Sequence, residues 1–73
     1  MDIALTWEDS YAIAQALARQ YPQVDLEDVS LGMIYQWTIA LSGFSDDVDL
    51  VNDGILTDIY REWFEEVNSI WAK

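Results

Sequence analysis

The sequence predicts an all-α fold: a small helical bundle forming a single domain over residues 1–73. Apolar residues recur at helical spacing along three stretches, and no stretch alternates apolar with polar residues as a half-buried strand would. The chain also has no cysteine, so no disulfide framework can hold an irregular small fold together. Seventy-three residues is near the lower end of what folds unaided, and the core must come from apolar burial alone. A hydrophobic content of 52%, with four Trp, four Tyr and two Phe, can supply it. Each large apolar side chain contributes about 1.5–3 kcal/mol when fully buried.

Ile13, Ala14, Leu17 and Tyr21 mark the first helix, predicted over Asp9–Gln20. Asp9 or Ser10 is the expected cap, Glu8 and Asp9 suit the positive helix start, and Pro22 stops the run. Asp25-Leu26-Glu27-Asp28 then reads as a single turn ending near Val29. Met33, Ile34, Trp37, Ala40 and Leu41 form a second stripe, with Gly32 a mediocre start and Gly43 the expected terminator. The last stripe is the clearest. Ile55, Leu56, Ile59, Trp63, Val67 and Ile70 recur every three or four residues, joined by Tyr60, Phe64 and Trp71, and Asn52 or Asp53 caps them. Asp58, Glu62, Glu65 and Glu66 take the opposite face, relieved only by Arg61. The tryptophans at positions 37 and 63 lie on apolar faces and are expected to be core, whereas Trp71 is a candidate exposed contact.

A net charge of −11 restricts the partners. Three basic residues cannot neutralise several phosphates, and fourteen acids repel a polyanion, so neither nucleic acid nor an anionic membrane surface is an expected partner. A basic protein surface is. No apolar run approaches the roughly 18 residues of a membrane span, and no basic segment precedes one, so the expected compartment is the cytoplasm. The absence of His and Cys removes the usual general base, the thiol nucleophile and the commonest transition-metal ligands.

The acids concentrate between the second and third stripes. Gly43-Phe44-Ser45-Asp46-Asp47-Val48-Asp49, followed by Asn52 and Asp53, holds four of the fourteen acids within eight residues. As a calcium loop it fails: with Gly54 at position 6, Val51 falls at position 3 and Tyr60 at position 12, where a ligand and a bidentate Glu are needed. Acid–base catalysis by paired carboxylates needs one acid in an apolar pocket, and these acids fall on turns and polar faces. An enzyme is therefore not expected. Phe44 is expected to anchor the turn in the core.

These residues resemble a known family. Leu5-Thr6-Trp7-Glu8-Asp9-Ser10, Ile13, Leu17, Pro22, Asp25, Val29, Trp37, Leu41, Phe44-Ser45-Asp46-Asp47, Asn52, Leu56, Ile59 and Trp63 are similar to the IscX family, small acidic accessory proteins of bacterial iron–sulfur cluster assembly. The resemblance runs without a gap from Leu5 to about Glu66 and is carried by the joint spacing of Trp7, Trp37, Trp63 and the Phe-x-Asp-Asp turn. It implies a helical domain likened to a modified winged helix, an acidic surface that binds a cysteine desulfurase and modulates its activity, weak ferrous-iron binding, and overlap with the frataxin-type regulator. Four departures stand out. Asp25-Leu26 replaces Asp-Pro, Asp46-Asp47-Val48 replaces Asp-Asp-Pro, and Val51-Asn52-Asp53 replaces Ser-Asn-Glu. Val29-Ser30-Leu31-Gly32-Met33 replaces Val-Arg-Phe-Thr-Asp, removing an acid and the expected helix cap.

The leading expectation is a monomeric, non-enzymatic adaptor without a tightly bound cofactor. Asp46, Asp47, Asp49 and Asp53 would meet the partner, helped by Asp25, Glu27 and Asp28. The alternative is an iron donor or sensor with Asp46, Asp47 and Asp49 as weak Fe²⁺ ligands. A winged-helix nucleic-acid binder follows only from fold analogy, and the charge opposes it.

Overall fold

The structure is a computed structural model that describes residues 4–69; Ile70 and Trp71 of the third stripe lie outside them. Helix α1 spans Ser10–Gln20, α2 Leu31–Ile39 and α3 Asp53–Ser69, with 3-10 turns at Leu26–Asp28 and Val48–Leu50. α3 is the central support, in extensive contact with α1 and lesser contact with α2. Among the described residues the β-type pairing is one isolated parallel bridge, Leu5 with Phe44, so no strand pair forms a wing. The all-helical class is as the sequence predicts.

α1 keeps its predicted bounds to within a residue because its apolar stripe is unbroken and Pro22 follows. Ile13, Ala14 and Leu17 are fully buried, and the Tyr21 amide closes the helix onto the Leu17 carbonyl at 2.8 Å. Asp9 holds the N-cap position, as expected, but its side chain makes no capping bond to the helix. The Asp9 carboxylate turns back to accept from the Thr6 amide at 3.0 Å and the Thr6 hydroxyl at 3.2 Å, closing a turn ahead of the helix.

α2 departs from the sequence reading at both ends. Ser30, not Gly32, is its cap: its hydroxyl accepts from the Met33 amide at 3.2 Å while its own amide donates to Met33 Sδ at 3.5 Å. The cap expected to be missing is thus supplied two residues earlier, and a thioether answers it in place of a carboxylate. The helix ends at Ile39 through Ala40 in ordinary right-handed geometry, and no glycine adopts positive φ, so Gly43 is not its terminator. Its buried residues are Ile34 and Thr38; Met33 is half-buried and Ala40 exposed.

Leu56, Ile59 and Trp63 bury the inner stripe of α3. Asn52 caps it, its side-chain oxygen accepting from the Ile55 amide at 2.9 Å. The stripe ends sooner than its period suggests, with Phe64 and Val67 both exposed. Trp37 joins the core edge, stacked on Tyr21 at 4.4 Å between ring centroids and edge-on to Trp63 at 6.1 Å.

Trp7 connects the helices to the acidic turn. Buried at 3% exposure, its ring lies edge-on to Phe44 at 4.7 Å and parallel to Tyr35 at 6.2 Å. Its indole N–H donates to the Asp47 carbonyl at 2.8 Å, and its amide donates to Asp46 Oδ2 at 3.0 Å. Asp46 Oδ1 accepts in addition from the Asp47 amide at 2.7 Å. Beside this, Leu5 donates to the Gly43 carbonyl and accepts from the Ser45 amide, each at 2.8 Å. Sequence-distant segments are thereby joined through one aromatic ring and one carboxylate. Phe44 packs against this ring while remaining half-buried.

Two stability outcomes follow from these contacts. Asp46→Ala strands two amides, one part-buried, and should cost about 1.5–3 kcal/mol in urea unfolding, whereas Asp49→Ala on the exposed side should cost less than about 0.5 kcal/mol. Equal losses would contradict the structural role of Asp46. The Thr38 hydroxyl is fully buried with no hydrogen-bond partner among the described residues. Thr38→Val should therefore stabilise by about 1 kcal/mol, raising Tm by about 4–8 °C. A lower Tm would show that the hydroxyl is bonded.

Candidate functional site

The acidic turn is not loose chain. Asp47 starts the second 3-10 turn, its carboxylate accepting from the Asp49 amide at 2.9 Å and its carbonyl from the Leu50 amide at 3.1 Å. That same carbonyl is the acceptor of the Trp7 indole. The buried ring therefore fixes the carbonyl from which the turn is built.

Hydrogen bonding divides the four acids of this segment by task. Asp46 is half-buried and both its oxygens accept backbone amides, so its charge is spent largely inside the fold. Asp47 is exposed but committed to the turn through one oxygen. Asp49 and Asp53 are exposed; Asp53 opens α3, where a negative charge complements the helix dipole. No base occurs in sequence between Arg19 and Arg61, and Arg61 pairs with Asp58 at 3.0 Å on the exposed face of α3.

Glu27 and Asp28 lie on the first 3-10 turn and Asp25 caps it, all three exposed. The Asp25 carboxylate accepts from the Glu27 amide at 3.0 Å, and buried Leu26 accepts the Tyr60 hydroxyl at its carbonyl at 3.1 Å. Tyr60 is seven residues into α3 from Asp53, about 10 Å along the helix at 1.5 Å per residue. The two acidic segments are thus tethered to different supports, one to Trp7 and one to Tyr60.

This geometry bears on the chemistry. Among the described residues no three Asp or Glu side chains converge on a point that could hold a metal ion. The carboxylates of Asp46 and Asp47 accept backbone amides, through both oxygens of Asp46 and one of Asp47. A cleft of about 470 Å³ opens between the ends of α1 and α2, lined by Leu5, Arg19, Tyr21, Trp37, Leu41 and Gly43 among others. None of its lining residues is Asp or Glu, so it offers no carboxylate pair for hydrolytic acid–base work.

Two residues of the segment stand out only in three dimensions. Val48 is 37% exposed and Leu50 61%, both on the turn that Asp47 organises. The sequence carries a faint signal for them, the alternation Asp47-Val48-Asp49-Leu50, which is too short to separate an exposed turn from a strand edge. No described helix is long and apolar enough to cross a membrane.

The model of a family described as iron-sulphur cluster assembly matches residues 5–68. An uncharacterized protein of Pseudomonas aeruginosa is 33% identical over 64 residues, covering 88% of this chain and 97% of that relative. The match begins at Leu5, the residue that bridges to the acidic turn, and ends near the last described turn of α3. The chain belongs to the iron–sulphur cluster assembly family of IscX type.

Proposed function

We propose that this protein is a non-enzymatic accessory factor of iron–sulphur cluster assembly that docks on a basic face of a cysteine desulfurase and modulates its activity. The observation that carries the reading is the acidic turn pinned to buried Trp7, which presents Asp47, Asp49 and Asp53 outward on a chain of net charge −11. A surface already held in place loses little conformational freedom on binding, so its charge can act as soon as the partners meet. Opposed charge steers association and weakens with salt. Asp25, Glu27 and Asp28 extend the negative field from their separate support, while Asp46 acts mainly by holding the turn. The protein works in the cytoplasm, as a monomer, without nucleic-acid or membrane partners.

Iron carriage is the weaker reading. It would draw Asp46 and Asp47 out of the backbone bonds that form the turn. The regulatory reading needs no such rearrangement.

Asp49→Lys combined with Asp53→Asn tests the docking role while sparing Asp46 and Asp47; Asn at 53 keeps a residue tolerated at a helix start. Stopped-flow association with purified cysteine desulfurase should slow by about tenfold or more at low salt, and the difference from the native chain should fade near 0.5 M salt, where screening is nearly complete. Helical circular dichroism should be preserved. An unchanged association rate in the folded variant would overturn the assignment.

A further inference from the structure

We propose that Val48 and Leu50 are the apolar anchor of the docking face, seating in an apolar recess that is rimmed by Lys or Arg side chains on a basic protein partner. The proposal rests on the docking reading above and adds what charge alone does not supply. Leu50 is the most exposed of the large apolar side chains described, at 61%, and Val48 stands beside it at 37%. Both project from a turn whose form is set from within. The Asp47 carbonyl accepts the Leu50 amide and the Trp7 indole together, and the Asp47 carboxylate accepts the Asp49 amide. An exposed leucine held on a turn fixed to the core is a preorganised contact, because little backbone freedom remains to be lost on binding.

The surrounding charge selects the occupant. Exposed Asp47, Asp49 and Asp53 alternate with or follow the two apolar residues, with no base between Arg19 and Arg61 in the sequence. An interface of this pattern has an apolar centre that sheds water and a charged rim that stays wet. Its counterpart must be positive at the rim and apolar at the centre. A second copy of this chain, itself at −11, is repelled, and so is an anionic membrane. The two kinds of residue then affect different rates. Rim acids set association and its salt dependence, while the desolvated apolar centre sets dissociation.

Binding kinetics of the full chain with purified cysteine desulfurase, at low and high salt, separate these roles. Val48→Ser with Leu50→Ser should speed dissociation about tenfold or more, leaving the association rate and its salt dependence as in the native chain. Leu50→Met should restore slow dissociation, since its volume and polarity are close to those of leucine. Phe64→Ser, altering an exposed aromatic on α3, should leave both rates unchanged. A folded Val48→Ser, Leu50→Ser variant with native dissociation overturns the anchor, as does faster dissociation in Phe64→Ser alone. No binding by the native chain would instead overturn the docking reading, and the anchor with it.

Discussion

Trp7 sits where the two halves of this small structure meet, and what it donates matters as much as what it buries. Its ring contributes apolar area to the core beside Phe44 and Tyr35. Its indole and amide hydrogens go to Asp47 and Asp46, some forty positions away. Leaving a buried indole N–H without an acceptor costs free energy, so the Asp47 carbonyl is drawn to it, and the 3-10 turn built on that carbonyl follows. Asp46 answers the neighbouring amide and closes its own turn with the other oxygen. Remove this set of bonds and the Leu5 bridge beside Phe44 would be left to hold the start of the segment between α2 and α3, with Val48–Leu50 untethered to Trp7.

A charge of −11 on 73 residues is a liability for folding, because like charges repel in the compact state. The structure moderates it by using several carboxylates as backbone acceptors. Asp9 closes the turn before α1, Asp25 begins the first 3-10 turn, and Asp46 and Asp47 order the second. What remains outward near the turn, Asp49 and Asp53 with the exposed Asp47, is charge available to a partner. Composition reports the total; hydrogen bonding divides it between internal support and recognition.

Local signals in the sequence account for most of the fold. The stripe of α1, its stop before Pro22, and the Asn52 cap of α3 depend on residues within one helical turn, and each is found where the pattern puts it. The start of α2 is less legible, because the capping hydroxyl belongs to Ser30, two residues upstream of Gly32 and outside the apolar stripe. Buried Thr38 was invisible for another reason: a polar residue on an apolar face breaks the pattern that would reveal it. The acidic turn was legible as a feature but not as a structure. Nothing local ties Asp46 to Trp7, so the sequence presents Asp46 and Asp49 as equivalent acids, and only the fold separates a support from a contact. The exposed positions of Val48 and Leu50 depend on that same long-range tie.

Native-state hydrogen exchange at Trp7 tests this dependence most directly. If the ring truly fixes the acidic turn, the Trp7 indole and amide hydrogens should exchange only through global unfolding. Their protection should then match that of Ile13, Leu17 and Ile59 in the core and fall with urea along the same slope. Fast exchange of the two Trp7 hydrogens, with little urea dependence while the core amides stay protected, would show the turn opening on its own and would contradict the account.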